Sequence, residues 1–181
     1  MEVLILVGGR AGGNTERLCH EFVDMLPEGV DSNVLNISRM DISHCIGCDV
    51  CKGGDGCCYD DDMSIVMDGF DKADVVLFAT PVRFNGPSSI IKTVLDRFQA
   101  LWNDTGRIEH RRRHIGLMMT SGSDNPDPNP CLKIFRSFCF SFGGEWIGYV
   151  LAKGTDSGDT DFRGYAVSFY ETMVRSVIGP Q

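Results

Sequence analysis

Five of the eight cysteines in this 181-residue chain lie within the fourteen residues from Cys45 to Cys58. Cys45, Cys48 and Cys51 recur at intervals of three, and Cys57 and Cys58 follow a glycine-rich stretch. Thiols at that density bind a metal or exchange electrons. Thiolates at i, i+3 and i+6 can reach three irons of a cubane, as in ferredoxin-type ligation. A fourth must come from a segment able to double back. Lys52-Gly53-Gly54-Asp55-Gly56 supplies one, because glycine adopts backbone angles that other residues avoid. Cys57 and Cys58 are both in reach; Cys57 is taken as the fourth ligand and Cys58 as packing or a spare. Zinc also takes four thiolates, though usually as two separated Cys-x2-Cys pairs. A redox-active dithiol at Cys45 and Cys48, with no metal, is the third alternative.

The elements that must display this stretch are legible around it. Val3 to Val7 is a continuous apolar run, the pattern of a strand buried on both faces. Gly8 to Thr15 is a glycine-rich turn, and Leu18, Phe22, Met25 and Leu26 then recur at helical spacing up to Pro27. Asn14 or Thr15 suits the N-cap. Val30 to Ile37 is a weaker second strand. Asp60-Asp61-Asp62 precedes an apolar helical stripe from Met63 to Phe70, and reads as cap and dipole partner. Ala73 to Ala79 and Ile115 to Met119 are further buried strands. Between them Ile91, Val94, Leu95, Phe98, Leu101 and Trp102 make one helical stripe. Phe135, Phe138, Cys139 and Phe142 make another, with Cys131 at its start and Cys139 in the core. Trp146 to Ala152 is the fifth strand, Gly154 to Asp159 a polar loop, and Phe162 to Met173 the final amphipathic helix. Five strands alternating with helices imply a parallel sheet covered on both faces. The expected organisation is one domain over 1–181, with a cysteine-rich crossover at 45–58.

Ligands of such sheets bind beyond the carboxyl ends of the strands. Three loops leave those ends. In Gly8 to Thr15, backbone amides and a helix N-terminus can close on an anion, with Arg10, Asn14 and Thr15 adding charge and donors. The loop has neither the dinucleotide glycine register nor a Walker lysine. Pro81-Val82-Arg83-Phe84-Asn85-Gly86 offers an apolar wall, amides and a side-chain amide to the edge of a flat heteroaromatic ring. Thr120-Ser121-Gly122 offers hydroxyls and a flexible glycine. Together they describe a mononucleotide pocket.

The motifs resemble a known family. Gly8-Gly9-Arg10 through Gly13-Asn14-Thr15 looks like a shortened form of its phosphate loop. Cys45-x-x-Cys48 with Asp61-Asp62-Met63 is similar to its cysteine-containing crossover. Ala79-Thr80-Pro81-Val82, with Ser88 or Ser89, Lys92 and Asp96-Arg97, is similar to its third-strand loop and helix. The family is the NADPH-dependent FMN reductase group of flavodoxin-like proteins, and within it the iron–sulfur flavoproteins. The resemblance implies a doubly wound flavodoxin-like α/β fold, strand order 2-1-3-4-5, and bound FMN. It places Arg10, Asn14 and Thr15 at the phosphate, Pro81 to Gly86 along the isoalloxazine ring, and Thr120 to Gly122 on the third side. The family usually has serine where Gly9 stands and an aromatic residue where Arg83 stands. Arg83 then either places positive charge near the ring or points to solvent. The resemblance also implies a [4Fe–4S] cluster at Cys45, Cys48, Cys51 and Cys57, and a homodimer or homotetramer in which the cluster faces a neighbour's flavin.

A formal charge of −8 argues against nucleic-acid binding, which usually shows a basic face. The one basic run, His110 to His114, reads as a solvated loop, with a partner or phosphate contact as the alternative. Met1 to Val7 is far short of the roughly 20 apolar residues of a membrane span. The expected setting is the reducing cytoplasm, where clustered thiols serve metals or catalysis rather than structural disulfides. The expected function is an FMN-dependent oxidoreductase with a cluster, drawing on ferredoxin or NAD(P)H and reducing a small acceptor. No side chain is assigned as a catalytic acid or base. A cluster-free NAD(P)H-dependent flavin or quinone reductase, and a non-enzymatic thiol or metal sensor, are the alternatives.

Overall fold

A computed structural model describes residues 1–54, 56–104 and 112–179. The five expected strands form one parallel sheet: β1 (Glu2–Val7), β2 (Asp31–Asn36), β3 (Val75–Pro81), β4 (His114–Thr120) and β5 (Glu145–Ala152), in the order β2-β1-β3-β4-β5. Helices α1 (Asn14–Val23), α2 (Met63–Lys72), α3 (Ser89–Arg97), α4 (Gln99–Asn103), α5 (Asn129–Ser141), α6 (Phe162–Phe169) and α7 (Arg175–Ile178) fill the connections. No helix among the described residues is long and apolar enough to cross a membrane.

Side-chain alternation along the strands divides the core in two. Leu4 and Leu6 of β1 face a layer built on α2, α3 and α5, while Val3, Ile5 and Val7 face α1 and α6. The first layer is rich in edge-to-face phenylalanines. Phe98 and Phe138 have centroids 5.1 Å apart, and Phe70 and Phe98 4.9 Å. Such pairs add about 0.5–1.5 kcal/mol each beyond their buried area. Cys131 and Cys139 lie buried in α5, as its stripe implies.

Several local expectations change. The α1 N-cap is Gly13, with no side-chain cap bond, because Asn14 and Thr15 are spent on tertiary contacts. The stripe from Ile91 to Trp102 is divided at Phe98 into α3 and α4, and Trp102 is exposed. In the last helical segment a π turn spans Tyr170–Val174. Its wider turn rotates the stripe, so Val174 is buried and Met173 partly exposed. Of the basic run, residues 110 and 111 lie outside the described residues, as does Asp55 of the glycine linker. Arg113 is not a solvated residue: it is buried over the Phe70 ring, and its Nε donates to the Phe70 carbonyl at 2.8 Å.

Candidate functional site

Because all five strands are parallel, the loops after β1, β3, β4 and β5 leave the same edge of the sheet. They enclose a cleft of about 670 Å3, within the range of small-molecule sites. Arg10, Asn14, Thr15, Pro81, Arg83, Phe84, Thr120 and Gly122 line it. Val82, Asn85, Gly86 and Ser121 do not line it.

The first loop is drawn tight by glycine. A Cβ on Gly8 would sit 2.5 Å from the Ile91 Cβ, so β1 can meet α3 only without a side chain there. A Cβ on Gly9 would sit 2.9 Å from the Thr15 Cβ. The serine that the family pattern leads one to expect at position 9 therefore has no room beside Thr15. The Thr15 and Thr120 hydroxyls, both buried, are 2.7 Å apart, which ties the first loop to the fourth strand. Asn14 Nδ2 donates to the Thr155 carbonyl at 2.9 Å, which brings in the loop after β5. The first-turn amides of α1 have no intrahelical acceptors, and the helix N-terminus carries partial positive charge toward the cleft.

One anion is already part of this loop. Glu16 is buried in the first turn of α1 and accepts from the Gly12 amide and, at 2.7 Å, from Asn36 Nδ2. The Gly12 amide, helped by Asn36 and by the Arg39 guanidinium 3.6 Å away, holds its carboxyl below the usual carboxylate range. Glu16 thus fixes the loop to β2 and stays charged.

The second loop ends in a two-residue hairpin. Arg83 and Gly86 exchange amide–carbonyl bonds of 2.8 Å, and the central Phe84 and Asn85 have φ of 48° and 62°. That left-handed geometry is common for Asn but costly for Phe. Phe84 is fully exposed on the cleft wall, and Arg83 is exposed beside it. Ser88 caps α3 and its Oγ donates to the Gly8 carbonyl at 2.6 Å, joining the first and second loops.

Sequence reasoning did not assign Ile90, Thr155 or Asp156 to the cleft. Thr155 and Asp156 follow β5 at the same sheet edge, and that rule alone would have found them. Gly122 lies against Asp156, where a Cβ would come 2.1 Å from the carboxylate. The cleft fits a flat mononucleotide: glycine contacts that any Cβ would fill, a helix N-terminus, Arg10 and an aromatic rim.

The cysteine crossover packs elsewhere, against the far end of α3. Arg97, 2% exposed, makes a two-pronged ion pair of 2.7 and 3.0 Å with Asp61, which is 7% exposed. Arg97 Nη1 also donates to the Ser43 carbonyl at 2.7 Å. Asp61 accepts from the Ser43 and Met63 amides as well, while Asp62, the N-cap residue of α2, makes no side-chain cap bond and accepts from the Asp41 amide, so the acids tie down the crossover more than they cap the helix. The Arg97 guanidinium, with those amides, holds the Asp61 carboxyl below its ordinary value.

Cys45, Cys48, Cys51, Cys57 and Cys58 line one small cavity of about 50 Å3 beside Arg97 and α4. Asn103 Nδ2 donates to the Cys51 sulfur at 3.1 Å. Cys58 is exposed rather than packed, with its Sγ 3.4 Å from that of Cys48. The Val50 amide and the Cys58 thiol hold Cys48 below the usual thiol range, while the contact with Cys48 pushes Cys58 up to about 11. Burial pushes Cys131 and Cys139 up to about 11 and Cys19 higher still, and the solvent-exposed thiols, Cys45, Cys48 and Cys58, all belong to the crossover. Among the described residues no three cysteine, histidine or carboxylate side chains form a group able to hold a metal ion. The thiols suit iron in kind and line one cavity, and no step is assigned to a cluster.

The fold and cleft together define a flavodoxin-like, mononucleotide-binding α/β protein. The family model described as NADPH-dependent FMN reductase matches residues 1–129. The chain belongs to that family of flavodoxin-like oxidoreductases. It is 30% identical over 103 residues to iron-sulfur flavoprotein MJ1083 of Methanocaldococcus jannaschii, covering 56% of this chain and 53% of that protein. It is 26% identical over 166 residues to the putative NAD(P)H-dependent FMN-containing oxidoreductase YwqN of Bacillus subtilis, covering 88% of both. An iron-sulfur flavoprotein of Archaeoglobus fulgidus is 28% identical over 126 residues, covering 69% of this chain and 61% of that protein. The chain thus spans only about half to three-fifths of these two iron–sulfur flavoproteins. Among solved structures, the NAD(P)H:quinone oxidoreductase of Methanothermobacter marburgensis superimposes with a TM-score of 0.70 at 15% identity, over 97% of this chain and 94% of that one. At that identity the likeness speaks for the fold.

Proposed function

We propose that this protein binds FMN in the cleft and acts as an oxidoreductase, passing electrons from NAD(P)H or a ferredoxin to a small acceptor. The observation that carries this reading is the closure of the loops after β1, β3 and β4 on one cleft, joined by the Thr15–Thr120 and Ser88–Gly8 bonds. Bound there, FMN supplies a carrier able to take electrons singly or in pairs, and the protein's task is to position and tune it. Arg10, the second N–H of the Asn14 side-chain amide and the first turn of α1 hold the phosphate. Pro81 to Gly86 flank the ring, with Phe84 on its exposed side, and Thr120 to Gly122 close the third side. Family membership and YwqN's name support NAD(P)H as donor, and a homodimer or homotetramer in the cytoplasm is the expected form. The test is to titrate the purified protein with FMN and then mix it anaerobically with NADPH or reduced ferredoxin. Flavin fluorescence quenching at one FMN per chain, followed by bleaching with one donor, is expected. A protein that ignores FMN overturns the reading.

A second reading adds a [4Fe–4S] cluster on Cys45, Cys48, Cys51 and Cys57. It is supported by the gathering of these thiols around one cavity and by the names of the archaeal relatives. The glycine linker would have to move to bring the sulfurs together. Iron and acid-labile sulfide, measured on protein purified without oxygen, decide it.

A further inference from the structure

The loop after β5 carries a carboxylate that the fold itself does not use. Asp156 is exposed on the cleft wall and, among the described residues, makes no hydrogen bond or ion pair. The backbone around it is nevertheless pinned. The Thr155 amide donates to the Ser121 carbonyl at 2.9 Å, and the Thr155 carbonyl accepts from Asn14 Nδ2. A turn from Gly154 to Ser157 follows, closed at 3.1 Å by the Ser157 amide on the Gly154 carbonyl. The Asp156 carboxylate lies against Gly122, in space that a Cβ there would take. It thus stands between the Asn14 end of the cleft and the loop after β4.

We infer that Asp156 reads the polyol chain of the mononucleotide, accepting a hydrogen bond from a ribityl hydroxyl. The inference rests on the FMN reading above and deepens it. An ionised carboxylate only accepts hydrogen bonds. FMN offers it donors in two places, the hydroxyls of the chain and the N3–H of the ring. With the ring along Pro81 to Gly86 and the phosphate at Arg10 and α1, the chain between them runs past the loops after β4 and β5. Asp156 therefore meets the chain rather than the ring edge. Repulsion of the phosphate is the rival role, and the two differ in sign. A hydrogen bond to the chain strengthens FMN binding, whereas repulsion weakens it.

Fluorescence titrations compare FMN with a phosphopentyl analogue that keeps the ring and the phosphate and lacks the chain hydroxyls. Asp156→Ala should weaken FMN about tenfold and leave the analogue bound no more weakly than before. Asp156→Asn, which keeps an acceptor oxygen, should fall between wild type and Asp156→Ala. Gly122→Ala, whose Cβ displaces the carboxylate, should lose the same preference for FMN over the analogue with Asp156 still in the chain. Tighter binding of both ligands by Asp156→Ala would overturn the inference in favour of phosphate repulsion. An equal loss of both would overturn it in favour of a role in loop shape alone, and an unchanged FMN affinity would overturn it outright. A wild-type protein that binds neither ligand overturns the FMN reading itself, so the two failures are told apart.

Discussion

At the scale of single residues, the cleft is set by close approaches that admit no extra atoms. Gly9 leaves no space for a Cβ beside Thr15, so Gly9→Ser should push Thr15 off Thr120 rather than restore a phosphate contact. Losing such a buried bond costs about 1 kcal/mol, and a loss of that size in binding makes the FMN dissociation constant roughly fivefold larger. Fluorescence titration checks it, and tighter binding would show the steric reading to be wrong. Phe84 holds a left-handed conformation at a cost of roughly 1–2 kcal/mol for a non-glycine residue. Phe84→Asn, the residue type such hairpins favour, should raise thermal stability by about 1 kcal/mol and weaken FMN binding. An unchanged melting temperature would mean that the hairpin is not strained.

At the scale of elements, the chief joint is Asp61 with Arg97, where α2, α3 and the crossover meet. Removing one partner of a buried pair leaves an uncompensated charge, so Arg97→Ala should cost about 3–5 kcal/mol in denaturant unfolding. The pH dependence follows from Asp61. Its folded value lies below its unfolded value of about 3.9, so its contribution is fully present above that value and disappears as pH falls through the depressed one. The stability gap between wild type and Asp61→Asn should therefore be widest near neutrality and shrink in acid. A gap that widens in acid would contradict the assigned sign.

The same scale shows what the sequence could and could not reveal. Strand identity was legible because buried parallel strands are continuous apolar runs, whereas the sheet order came from the family resemblance and not from the runs. The break at Phe98 was not, because Ile91, Val94, Phe98 and Leu101 keep one buried face across it. Nor was the tie of Asn14 to Thr155, because a side chain suited to capping looks the same whether it bonds its own helix or a loop 141 residues away. The cysteines announced thiol chemistry, but spacing left Cys57 and Cys58 both in reach and did not reveal that the sulfur beside Cys48 is that of Cys58.

At the scale of the whole molecule, four strand-end loops close one cleft, so a ligand there stabilises the sheet edge as a unit. FMN at a hundredfold excess over its dissociation constant should raise unfolding free energy by about 2.7 kcal/mol, read as a rise in melting temperature. Riboflavin, which lacks the phosphate, should protect less, because it leaves Arg10 and the first turn of α1 without a partner. Equal protection by both would move the binding determinant away from the glycine loop.

Helix α3 begins at the Ser88 cap beside the cleft and ends at Arg97 beside the thiols. Its nine residues make a rod roughly 13 Å long. The offset between flavin cleft and sulfur loop is thus counted in whole helical residues, not in loop slack. Deleting a single residue from the middle of that rod would swing the guanidinium through about 100° and unhook the sulfur loop, while the cleft itself stayed whole.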